Sequence, residues 1–148
     1  MKRVTSQSLL KQFRLNVKTE LEALEEILPW FEEITQGYLP QKVLWECKLA
    51  LAEGFTNTVR YAHQDLPPVV PIILEVHVFS NYLEMRIWDV GPAFDLARKL
   101  LDIEHSQVNP LEKESARGLF FMKHLTDDLQ YIRIANRRNC LMMKKNLE

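Results

Sequence analysis

At 148 residues the chain has the size of one domain, long enough to bury a core without covalent staples. Its formal net charge of −1 supplies no field for holding polyanions, which argues against direct nucleic-acid binding, and no apolar run is long enough to span a bilayer. The two cysteines, Cys47 and Cys140, match no metal-ligand spacing and fit a reducing compartment. The opening MKRVTSQSLLKQF lacks the apolar stretch of a secretory signal, so the expected location is the cytoplasm, away from membranes.

In chain order, Phe13, Leu15 and Val17 alternate with polar neighbours and predict a short strand. From Thr19 the period changes. Leu21, Leu24, Ile27, Leu28 and Phe31 recur at helical spacing, with Thr19 as the expected N-cap and Glu22 completing a capping box. Pro29 predicts a kink or an early end. A second helix is predicted from about Gln41 to about His63, with Leu44, Cys47, Leu51, Phe55 and Ala62 on one face. Glu46, Glu53, Asn57 and Arg60 fall roughly opposite.

Prolines 67, 68 and 71 break the chain. Ile73–Phe79 and Leu83–Trp88 then read as a hairpin turning at Ser80-Asn81. A long polar stretch follows, with a short helix around Leu96–Ile103. Ser115–Thr126 reads as another helix. Leu129–Ala135 and Cys140–Lys144 read as a closing hairpin across residues 136–139. The order predicts a single α/β domain over residues 1–148: a two-layer sandwich with a mixed, mainly antiparallel sheet and helices on one face.

Three segments carry chemistry. In EGFTNTVRYAH, Glu53 and Asn57 are four apart and project from nearly the same side of the helix. A carboxylate there can accept a proton from a nucleophile, and an amide oxygen can contribute one ligand to a hard cation. In WDVGPAFD, Asp89 ends a buried strand, where a carboxylate can accept from the exocyclic amine of adenine. Gly91 lets backbone approach a flat ligand. In ESARGLFFMKHL, Ser115 can cap a helix whose free N–H groups and positive dipole end suit phosphate, and Arg117 adds a charged fork. Each segment taken alone is more often an ordinary helix face, turn or capped helix.

Taken in this order, the three segments resemble the GHKL (histidine kinase-like) ATPase superfamily, whose fold is the Bergerat type. D-x-G-P-x-F-D and A-R-G-L-F-F-M-K most resemble the anti-sigma-factor serine/threonine kinases. The resemblance implies that Glu53 is the general base, that Asn57 holds Mg2+, that Asp89 selects adenine and that Gly91 gives the base room. Arg117 and the backbone around Gly118 and Leu119 would contact the phosphates of ATP, and residues from about 95 to 115 would form a lid. The implied reaction is γ-phosphate transfer to a serine of a STAS-type anti-anti-sigma protein, with a sigma factor as a further partner and a homodimer as the assembly.

Four positions depart from the family pattern. Ala93 and Ala116 replace box glycines, Cys140 stands where a threonine often helps to hold adenine, and Tyr61 stands where histidine is frequent. An alanine forced to positive φ would cost on the order of 1 kcal/mol. The glycine losses leave open a second outcome, a nucleotide-binding module without turnover that captures a sigma factor or an anti-anti-sigma protein. His63, His77, His105 and His124 match no acceptor motif and read as incidental.

Overall fold

The computed structural model describes residues 8–93, 96–105, 114–135 and 137–147, without the side chains of residues 97, 103 and 114–116. β1 (Leu9–Lys18) leads through a 3₁₀ turn (Leu21–Ala23) into α1 (Leu24–Ile34). α2 (Gln41–Asn57) follows and widens into a π turn over Thr58–Ala62. Next come β2 (Pro71–Phe79), β3 (Tyr82–Asp89), α3 (Leu96–His105), α4 (Glu114–Leu125), β4 (Asp128–Ile134) and β5 (Arg138–Asn146). The five strands form one sheet in the order β1-β2-β3-β5-β4, and all four pairings are antiparallel.

Strand alternation decides which face is covered. Ile72, Leu74, Val76 and Val78 of β2 lie on the inner face with Leu83, Met85 and Ile87 of β3 and Leu141 and Met143 of β5. Against them pack Ile27 and Phe31 of α1 and Cys47, Ala50, Leu51 and Phe55 of α2. The helices thus cover one face, as a two-layer α/β sandwich requires. α2 comes close to the sheet at Gly54, where a Cβ would lie 2.8 Å from Ile87 Cδ1 and 3.1 Å from Met143 Cε. Among the described residues no helix is long and apolar enough to cross a membrane.

Three local expectations give way to tertiary contacts. Pro29 lies inside α1, which nevertheless continues to Ile34. A mid-helix proline costs about 3 kcal/mol, and burying Ile27 and Phe31 completely offsets it at about 2 kcal/mol each. Thr19 does not cap the first helix. Glu20 holds the N-cap position of the 3₁₀ turn with no side-chain cap bond, because the Thr19 hydroxyl is engaged by Val70 and His63. The closing hairpin is tighter than expected: β4 ends at Ile134, and Ala135 follows it at φ +54°. β5 therefore begins at Arg138, and Asn139 belongs to the strand rather than to the turn.

Candidate functional site

The site is organised along the C-terminal half of α2. Glu53 and Asn57 lie one turn apart, a rise of about 6 Å, and both are half-buried. The glycine of α4, Gly118, sits directly over Glu53: a Cβ built there would lie 3.1 Å from Glu53 Oε2. The fold thus joins the first and third chemical segments. Among the described residues, no hydrogen bond or ion pair engages the side chains of Glu53 and Asn57. Two hard oxygen donors left uncommitted on one helix face suit a cation that takes most of its ligands from water and phosphate. No group of three or more His, Cys, Asp or Glu among the described residues could hold a metal by itself.

Arg117 precedes Gly118 and is exposed, and Leu119 is buried in the core. Phosphate contacts are expected of the Gly118 and Leu119 backbone. α4 begins at Glu114, so those two N–H groups lie a turn inside the helix, where the ladder of backbone bonds uses them. The donors left over at the helix start belong to the residues before Gly118.

The second segment meets the far end of α2. After Asn57 the helix loosens into its π turn, with the Thr58 hydroxyl donating to Gly54 O at 2.9 Å and His63 N–H donating to Thr58 O at 2.9 Å. Such widened turns occur often at functional sites. Here the turn carries the Ala62 carbonyl up to Gly91, where a Cβ would stand 1.9 Å from that oxygen. Gly91 is therefore required by the helix end packed against it, whereas the sequence suggested only room for a ligand. Its φ is not positive, and neither is that of Ala93, while Ala116 lies within α4. Neither alanine bears the strain that a left-handed conformation would impose.

Asp89 is 2% exposed and fully engaged. Its Oδ1 accepts from Gly91 N–H at 2.9 Å and from Asn139 Nδ2 at 2.8 Å, and its Oδ2 accepts from the Tyr131 hydroxyl at 3.0 Å. Asn139 Nδ2 also donates to Gly91 O at 3.0 Å, and Arg133 Nη1 donates to Asn139 Oδ1 at 3.1 Å. Burial and the neighbouring Asp89 carboxylate push the Tyr131 phenol well above its ordinary range, so it remains a donor.

Cys140, expected beside the adenine, does not join this cluster. It pairs with Trp88 on the outer face of the sheet, whereas Asn139 pairs with Asp89 on the inner face. Burial pushes the Cys140 thiol up to about 12, and Arg138 lies over the neighbouring Trp88 ring at 4.3 Å. The signal was present in the alternation of Asn139, Leu141 and Met143. Starting the last strand at Cys140, two residues after its actual start at Arg138, hides it.

His63 is not incidental either. It is 1% exposed, and both ring nitrogens are bonded: Nδ1 to Thr19 Oγ1 at 2.9 Å, and Nε2 as acceptor from Val90 N–H at 2.9 Å. Nothing local in the sequence links Thr19, His63 and Val90, and no motif or periodicity marks Asn139, Tyr131, Arg133 or His63 as part of the site. Ala93 and Pro92 follow the turn and are exposed. The expected lid, residues 95–115, lies partly outside the described residues, as do Phe94 and Asp95. Within it α3 extends to His105 and anchors Leu96 in the core.

An antiparallel sheet with helices on one face, a helix glutamate under a glycine of another helix, and a strand-terminal aspartate at the helix end define the class, a two-layer α/β domain. Residues 17–145 match the histidine kinase-like ATPase domain, and the chain belongs to that family. It is similar to the serine-protein kinase RsbW of Listeria innocua, with 30% identity over 88 residues covering 57% of this chain and 55% of that protein. It is likewise similar to the serine-protein kinase RsbW of Oceanobacillus iheyensis, with 30% identity over 101 residues covering 66% and 61%. The chain therefore spans little more than half the length of these curated relatives. A chain in the crystal structure of the SiaB–SiaC complex from Pseudomonas aeruginosa shares the fold, with a TM-score of 0.65 at 13% identity over 93% of this chain and 90% of that one.

Proposed function

We propose that this protein is an ATP-dependent serine kinase that acts as an anti-sigma regulatory factor and phosphorylates a STAS-type anti-anti-sigma protein in the cytoplasm. The observation that carries the reading is the half-buried, uncommitted Glu53 carboxylate beneath Gly118 and one turn from Asn57. A carboxylate free of internal partners is available to take the proton of an incoming seryl hydroxyl. Asn57 contributes one oxygen towards Mg2+, which when bound offsets the negative charge of the phosphates. Arg117 and the first-turn N–H groups of α4 hold the phosphates. Asp89 recognises the adenine amine, and Gly91 keeps that end of α2 in register. Catalysis then rests on orientation and charge rather than on a covalent enzyme intermediate.

The kinase names of the relatives support this reading. A partner of the anti-anti-sigma kind fits them, and the assembly we propose is a homodimer. One observation favours a second reading: Asp89 already accepts three internal hydrogen bonds, as it would in a module that captures its partner without turnover.

Transfer of labelled γ-phosphate from ATP to a STAS protein separates the two readings. The expected result is phosphate on a partner serine, with transfer slowed by about 10²- to 10⁴-fold in Glu53→Gln while nucleotide affinity is kept. Undiminished transfer in that variant, or none in the parent, overturns the kinase assignment.

A further inference from the structure

The hydrogen bonds around His63 determine its tautomer. The Thr19 hydroxyl lies 2.6 Å from Val70 O, and a carbonyl has no proton to offer, so the hydroxyl donates its single proton there. Thr19 Oγ1 then meets His63 Nδ1 only as an acceptor, which puts the proton on Nδ1. On the other side of the ring, Val90 N–H donates to Nε2, which must carry a lone pair. The ring is therefore neutral, with both nitrogens satisfied, and is almost wholly buried.

This one side chain ties together the segment after β1, the end of α2 and the residue between Asp89 and Gly91. Beside it, the Ala62 carbonyl leaves Gly91 no room to move. The Asp89-Val90-Gly91 backbone is thus held at two successive residues by the end of α2. We propose that His63 is a positioning residue for the base-recognition turn: its neutral Nδ1–H form clamps Val90, so protonation of the ring releases the turn and weakens nucleotide binding. This rests on the adenine-nucleotide reading given above.

A second proton would sit on Nε2, facing the Val90 N–H, donor against donor. Asp89 on β3 is the charged side chain that faces the ring, while Thr19 and Val70 on the other side contribute neutral groups. Burial outweighs the attraction of Asp89 and holds the imidazole below its ordinary 6.5. The direction follows. The folded protein keeps the neutral form, the unfolded chain takes up the proton first, and the clamp is complete above about 6.5. It is lost as pH falls below that value towards the lower folded-state value.

The test measures Mg-ADP affinity calorimetrically for the parent, His63→Gln and His63→Phe from about pH 7.5 down to the lowest pH at which the parent stays folded, because the buried ring titrates below the ordinary imidazole value. Glutamine offers an uncharged acceptor and donor. It should restore most of the affinity that His63→Phe loses, and it should remove the pH dependence. The parent should lose about tenfold more affinity across the range than His63→Gln, the scale of one buried hydrogen bond. The comparison cancels titration of the nucleotide itself.

Hydrogen exchange at the Val90 amide in nucleotide-free protein gives an independent reading. Protection should fall at low pH in the parent and persist in His63→Gln, whether or not His63→Phe folds. Parallel affinity profiles for parent and His63→Gln, or a Val90 amide indifferent to pH, would overturn the clamp. A parent that binds no adenine nucleotide at neutral pH would instead overturn the functional reading, with the Val90 exchange still deciding the clamp.

Discussion

Two carboxylates mark the ends of the site, and they are held in opposite ways. Asp89 is buried and accepts hydrogen bonds from Gly91, Asn139 and Tyr131. Glu53 is half-buried, and among the described residues nothing bonds to it. The first belongs to a network that spans β3, β4 and β5, so its orientation is part of the stability of the sheet. The second is carried by one helix and only overlain by Gly118. A buried charge left without partners would be costly, which is why Asp89 is fully engaged. A carboxylate in the role proposed for Glu53 must keep a lone pair available, and partial exposure lets Glu53 do so without internal partners. Stability is concentrated at one end of α2, and chemical freedom at the other.

Gly91→Ala is the most forceful way to break this arrangement. A methyl group 1.9 Å from a backbone oxygen cannot be absorbed by a rotamer change, so α2 and the turn must part. The expected loss is about 3 kcal/mol in chemical denaturation, together with nucleotide binding. A variant as stable as the parent would mean that the two segments are not packed this way.

Asp89→Asn and Glu53→Gln test the contrast directly. Replacing Asp89 should cost about 2 kcal/mol, because an amide cannot accept at both positions and leaves buried donors unpaired. Replacing Glu53 should change stability by less than about 0.5 kcal/mol, whatever happens to transfer. Equal costs would erase the distinction between the two ends.

Tyr131→Phe perturbs the buried end of the site less than Asp89→Asn. It deletes one hydrogen bond to Asp89 Oδ2 and should lower stability by about 1 kcal/mol. Because it returns an acceptor site to Asp89, adenine-nucleotide affinity should rise by a few-fold, roughly one weak hydrogen bond in scale. Weaker binding in this variant would indicate that the tyrosine helps to form the base pocket instead of competing for its acceptor.

Much of the fold was legible in local pattern. The strands β2 and β3, the turn between them, the long second helix and the helix opening near Ser115 follow from alternation, 3.6-residue periodicity and proline breaks. The order of Glu53, Asn57, Asp89, Gly91, Arg117 and Gly118 was readable because each lies in a short segment whose neighbours mark its element. Pro29, Thr19 and the last hairpin went differently, since burial and long-range hydrogen bonds outweighed helix-breaking, capping and turn preferences worth no more than a few kcal/mol.

By itself the sequence determined the elements, their order and the family to which the chain belongs, all of which are written in residues close together along the chain. Only the tertiary structure decided that Gly118 lies over Glu53, that Asn139 rather than Cys140 meets Asp89, and that His63 holds Val90. These are contacts between residues 27 to 65 positions apart. No local preference encodes such contacts, because strand register and helix-to-sheet packing are set by the whole core at once.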